Sequence, residues 1–475
     1  MLLVLVCGCE KNAVVPGYLD SEAFPGGTTS VSIKPFASYM HPAKNLAQEQ
    51  VLKFHAGKAL AHQPWVKAPT ATIARDGLGP LYNARTCLAC HVNGGRGRMP
   101  DNGESMLFHA FVRISLPGTD EQLGVVPEPT YGDQIQSQSI ALYHQLRHKM
   151  DADNRKESDV APEAYVYVDW QQTNFVYPDG EEISLRYPQL RIENLGYGEL
   201  HANTLMGVRN APPIHGMGLL ELIDQRDIDM QADPEDKDND GISGRVNHVW
   251  DPVSEMIVAG RFGLKANRPN NVAVVTAAAF ANDVGITNPI FPQQPCSKVQ
   301  DRCNASITGN NEAGVELSDK MLQSVADFTR NLGVPRRYKV HREENMQGRK
   351  LFYEVGCQGC HIPSYVTQSS ADMPHLAQQT IWPYTDLLLH DMGPDLADGR
   401  PDFIATGSEW RTPPLWGIAI NKEVNGHQNF LHDGRARSVE EAVLWHGGEA
   451  EPVKQRFIGL NKMQRELMLK FVESL

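Results

Sequence analysis

The chain has 475 residues, 41% of them hydrophobic, enough to bury two or three separate cores. Acidic residues outnumber basic ones by 57 to 44, and the formal net charge of -13 excludes nucleic-acid binding as the main role, because phosphate neutralisation needs clustered lysine and arginine. Beyond the N-terminus no run approaches 18 apolar residues, which excludes a spanning helix and leaves a lipid as the only expected membrane anchor.

Met1 to Cys9 forms an apolar stretch too short to span a bilayer and reads as an export signal. Within it, Val6-Cys7-Gly8-Cys9 resembles a bacterial lipobox, although no basic residue precedes it. The following stretch, with Pro16, Gly17, Pro25, Gly26 and Gly27, reads as a flexible tether, so residues 1–35 are expected to lie outside the folded body. Leu46, Val51, Phe54 and Leu60 recur at helical spacing, and Gly77-Leu78-Gly79-Pro80 breaks that pattern.

Next comes Cys87-Leu88-Ala89-Cys90-His91, and Cys357-Gln358-Gly359-Cys360-His361 repeats it. Cysteines three positions apart sit about one helical turn from each other and can bond two vinyl groups at one porphyrin edge. A histidine directly after them turns toward the iron, so each pentapeptide is expected to attach a c-type haem. A CxxC redox pair or a zinc knuckle needs no trailing histidine, so both explain the pattern less well.

Residues 165–170 and 173–177, then 182–187 beyond Pro178-Asp179-Gly180, alternate with period two and predict a β-hairpin. Val208-Arg209-Asn210-Ala211-Pro212-Pro213-Ile214-His215-Gly216 is echoed by Trp410-Arg411-Thr412-Pro413-Pro414-Leu415-Trp416-Gly417, which suggests duplication. Arg209 and Arg411 are candidate partners of haem propionates, since guanidinium matches carboxylate geometry. Asp236, Asp238 and Asp240, then Gly241 and the Ile242 carbonyl, match the first half of a calcium loop, with Asn247 where the bidentate glutamate would stand.

Cys296 and Cys303 are the cysteines left after the haem motifs and the N-terminal pair, and outside the cytoplasm they are expected to be bonded. Leu317, Met321, Val325, Phe328 and Leu332 predict an amphipathic helix, as do Met463, Leu467, Phe471 and Leu475 at the end of the chain. The expected architecture is mainly α, with two cytochrome c-like haem domains and a β-hairpin insertion in the first. Residues 36–255 would form the first domain with its calcium loop, 256–335 an interdomain segment with the disulfide loop, and 336–475 the second domain.

With those motifs in place, the chain resembles the bacterial di-haem c-type oxidoreductases described as peroxidases, some of which are labelled thiol oxidoreductases. The likeness rests on Gly77-Leu78-Gly79-Pro80-Leu81-Tyr82-Asn83-Ala84-Arg85, Asp240-Gly241-Ile242-Ser243-Gly244-Arg245, Arg261-Phe262-Gly263, residues 383–393 and Leu431-His432-Asp433-Gly434-Arg435-Ala436. Arg209-Asn210-Ala211-Pro212 and His432-Asp433-Gly434-Arg435 are more distantly similar to di-haem cytochrome c peroxidases and to the di-haem maturase that oxidises protein tryptophans. The thiol label does not follow, because thioethers would consume every motif cysteine.

The resemblance implies a periplasmic protein in which a C-terminal haem passes electrons to a reactive N-terminal haem. A cytochrome or cupredoxin would be the donor, and peroxide or another small oxidant the acceptor. It also directs attention to axial ligands: His201 or Met206 for the first haem, and for the second Met392, with His390 as the alternative, because Ser408-Glu409 stands where a methionine was sought. Two other readings stay open, a pure electron-transfer cytochrome and a maturase oxidising a protein residue.

Overall fold

Forty glycines and 31 prolines cut the chain into short elements, because neither residue sits well inside a helix. The computed structural model describes residues 15–33, 38–71, 75–106, 110–140 and 160–475; the lipobox cysteines Cys7 and Cys9 lie outside these. Helix accounts for 28% and strand for 19%, so the expected mainly α fold is corrected to a mixed one. The strands form separate two- and three-stranded antiparallel ribbons rather than one sheet. No helix among the described residues is long and apolar enough to cross a membrane.

Two helix pairs frame the haem motifs. Helix α1 (Gln48–His62) packs on α2 (Asp319–Arg330), and α3 (Glu343–Val355) packs on α4 (Lys462–Val472). Each pair crosses at a glycine. A Cβ on Gly57 would overlap the Ser324 carbonyl oxygen, and one on Gly348 would overlap that of Leu467. Phe54 packs on Phe328 beside the first crossing, with ring centroids 5.1 Å apart, and Phe352 on Phe471 beside the second, at 5.4 Å. These buried rings each contribute roughly 1.5–3 kcal/mol of hydrophobic stabilisation. Thus α2, from the stretch expected to be an interdomain segment, shares a core with Phe54, Trp65, Tyr82 and Phe280.

The echo segments also meet. Gly216 (φ 76°) packs against the Trp416 indole, and Gly417 (φ 82°) against His215, both glycines adopting a left-handed backbone that a side chain would strain. The predicted hairpin forms two 12-residue strands, β1 (Tyr165–Val176) and β2 (Glu182–Glu193). Val166, Val168 and Trp170 enter one core at its base. Its tip crosses to the C-terminal half: Tyr177 and Leu185 join Phe457 and Trp445, while Arg465 bonds Asp179 and Glu181, each at 2.8 Å.

Residues 15–33 are not a free tether. Glu22 is fully buried, ion-paired to Arg349 at 2.9 Å and approached by Arg337 at 3.6 Å, and the Val31 amide donates to Val334. Cys296 and Cys303 are disulfide-bonded.

Candidate functional site

Thr86 caps the single helical turn Cys87–Cys90, its hydroxyl accepting from the Ala89 amide at 3.1 Å, so the two thiols sit one turn apart with His91 at the end. In the second motif Gly356, at φ 97°, ends α3 and opens the tight turn Cys357–Gly359 ahead of His361.

Both histidines are oriented in the same way. His91 Nδ1 lies 2.8 Å from the Pro212 carbonyl oxygen, and His361 Nδ1 lies 3.0 Å from that of Tyr384. A carbonyl can only accept, so Nδ1 carries the proton and Nε2 keeps the lone pair that binds a metal. Burial lowers both imidazole pKa values, His361 to about 4, which holds the rings in the neutral form that ligation requires. The four motif cysteines form no disulfide. Burial pushes Cys87, Cys90 and Cys357 up to about 12, unlike a redox CxxC pair, which needs a lowered thiol pKa. These side chains lie among protein yet keep accessible surface. Unpaired cysteines and oriented neutral histidines that remain accessible fit a covalently held haem at each motif.

The two centres differ in what surrounds them. Near Cys87 and Cys90 stands Asp283, whose pKa is raised by burial and which accepts from Gln134 at 3.0 Å. Arg113, ion-paired with Asp133, and Arg268 are enclosed with it. Around Cys360, His390 is clamped between Asp386 and Glu449, each at 2.8 Å, and its Nδ1 lies 3.7 Å from the Cys360 sulfur. Burial opposes its charged form, yet Asp386 raises its pKa well above the ordinary value. Both ring nitrogens of His390 are thereby occupied by carboxylates.

The other residues singled out from sequence fall as follows. Arg209 is buried, paired with Asp398 and stacked 4.6 Å from the Trp410 ring, so its charge is already matched. Arg411 is enclosed, donates to the Gly263 and Thr412 carbonyls, and forms no direct ion pair among the described residues; burial lowers its pKa to about 10, against the opposing charge of Asp386. A guanidinium without a direct ion pair can still take a haem propionate. His201 and Met206 are both exposed, unlike the enclosed side chains around the motifs. Met392 packs in the apolar cluster that holds Cys357, Trp445 and Phe457.

Asp236, Asp238 and Asp240 bring carboxylate oxygens within 4.8 Å of one another. Asn247 does not join them: its amide is buried and donates to the Lys265 and Asp402 carbonyls. The Ile242 side chain packs on Gly359, inside the second motif.

Sequence reasoning missed Asp283, Arg113 and Arg268, and also Arg96, an enclosed guanidinium five residues after His91 whose pKa burial lowers to about 10. It also passed over His446, whose position just after the short helix Val439–Leu444 and before Gly447-Gly448 was the available signal.

A family model described as "Di-haem oxidoreductase, putative peroxidase" matches residues 18–475. No curated protein and no solved structure shows significant similarity to the chain.

Proposed function

The chain belongs to the di-haem oxidoreductase family, and from that premise we propose an exported c-type enzyme that reduces peroxide at the His91 centre with electrons delivered through the His361 centre. The observation that carries this assignment is buried Asp283, whose charge is felt at Cys87 and Cys90 and which Arg113 and Arg268 approach in turn. Covalently bound at the two motifs, the haems supply electron storage and the reactive iron.

The protein's own part is electrostatic and protonic. Peroxide takes up two electrons and two protons as its O–O bond breaks to give two waters. Asp283, with its pKa raised by burial, can hold a proton close to the site, and Gln134 fixes its orientation. Arg113, steadied by Asp133, and Arg268 stabilise negative charge developing on oxygen. Pro212 and Tyr384 fix the two imidazoles, and Arg96 and Arg411 are the cations suited to propionates.

An apolar leader ending in a lipobox-like cysteine supports export and a lipid anchor at a bacterial periplasmic membrane. An acidic protein of this kind suits a donor cytochrome or cupredoxin with a basic docking face. The aspartate loop 236–242 binds calcium in this account, and because Ile242 rests on Gly359 the ion stiffens the second motif. Calcium then raises the melting temperature of wild type but not of Asp238→Ala; equal shifts in both proteins would remove the ion from the account.

Asp283→Asn tests the central assignment. With both haems retained, its peroxide rate should fall on the order of 100-fold, and a wild-type rate would strip Asp283 of its role. A ferric spectrum in which every haem is low-spin would favour the pure electron-transfer cytochrome instead.

A further inference from the structure

We propose that His446 Nε2 is the sixth ligand of the iron held by His361, making the second centre bis-histidine rather than histidine–methionine. The inference rests on a haem being attached at the second motif and is independent of whether the protein reduces peroxide.

Three features of the structure converge on His446. Its Nδ1 lies 2.7 Å from the Ala442 carbonyl oxygen, so Nδ1 carries the proton and Nε2 keeps its lone pair. That is the arrangement of His91 and His361, the two motif histidines, and the Nε2 atom has no hydrogen-bond partner among the described residues. Second, the ring keeps accessible surface and stands close enough to the His361 imidazole for its charge to be felt there.

Third, the loop carrying His446 is fastened to the motif on both sides. Trp445 lies in the apolar cluster with Phe352 and Cys357. Glu449 accepts from His390 at 2.8 Å, and His390 sits 3.7 Å from the Cys360 sulfur. The Ser243 amide and hydroxyl also bond Glu449, at 2.9 and 3.0 Å. A ligand on this loop is therefore held in place before the metal arrives, which is how ordering elsewhere reduces the cost of ligation. Met392, the ligand expected from sequence, is the neighbour of this loop, its carbonyl oxygen lying against Gly447, and it packs against the apolar cluster that also takes in Cys357.

Ligation by nitrogen rather than thioether sulfur also lowers the reduction potential of the centre. The electron reservoir would then give up electrons more readily than a methionine-ligated one.

The test uses the ferric holoprotein and reads ligation rather than activity. Near-infrared magnetic circular dichroism of wild type should show a low-spin bis-histidine charge-transfer band and no sulfur-to-iron band. His446→Ala should add one high-spin haem per chain, while haemochrome content stays unchanged. His446→Met should bring in the sulfur band and raise the potential of that haem. A wild-type sulfur band that disappears in Met392→Ala would overturn the proposal in favour of Met392. An unchanged spectrum in His446→Met would overturn it as well, and because that variant keeps a ligating side chain it decides the matter if the alanine protein does not fold.

Discussion

Glu163 illustrates how single buried carboxylates set the pH response of this fold. It accepts from the Gln136 amide and from the Gln300 side chain, both at 2.6 Å, and so ties the segment beside Asn83 to the disulfide loop. Burial outweighs these donors and raises its pKa from 4.5 to about 8. Between those values the unfolded chain is ionised while the folded one is protonated, so the unfolded state binds fewer protons and stability falls as pH rises through that window. Glu163→Gln removes the charge, and the Gln300 amide can turn to accept from the new one. Urea midpoints at about pH 5 and about pH 8 should differ less in the variant than in wild type. An unaltered difference would mean that Glu163 ionises normally in the fold. At the same scale, His390 was legible from sequence as a candidate ligand only because sequence does not show what occupies its nitrogens. Asp386 is four residues away, but Glu449 arrives from a distant loop.

At the scale of elements, the helix crossings carry the sharpest prediction. Gly57→Ala and Gly348→Ala each drive a methyl group into a carbonyl oxygen of the partner helix, which cannot swing aside as a side chain would. Each substitution should cost about 1–3 kcal/mol, read as a lowered melting temperature. Gly459→Ala is the control: its backbone is helical at φ -72°, and its nearest neighbours stand at ordinary contact distance. It should change stability by no more than about 0.5 kcal/mol. Losses as small as that at Gly57 or Gly348 would show that the helices pack more loosely than described.

The α helices at these crossings and the long hairpin were both legible, because periods of 3.6 and 2 survive in contiguous sequence. The share of strand was not. Short ribbons such as Leu389–Asp391 with Glu409–Arg411 are only three residues long, too brief for a period to register, and they pair across distant segments. The order of residues 15–33 was hidden for a similar reason: it depends on Glu22 meeting Arg349, 327 positions away.

For the whole molecule, two haems were readable because each motif is five adjacent residues, and the di-haem family match over residues 18–475 agrees on their number. The surroundings of each motif were not readable, since Asp283 approaches the first, and His446 the second, only through folding. Those surroundings are the basis for giving the two centres different tasks. The most direct test compares two single-haem proteins, Cys87→Ala/Cys90→Ala and Cys357→Ala/Cys360→Ala, mixed rapidly with hydrogen peroxide while their haem spectra are recorded. The protein that keeps only the His91 haem should react with peroxide at close to the wild-type rate yet fail to turn over with a protein donor. The protein that keeps only the His361 haem should remain reducible and not react. Rapid reaction of peroxide at the His361 haem, with none at the His91 haem, would contradict the account.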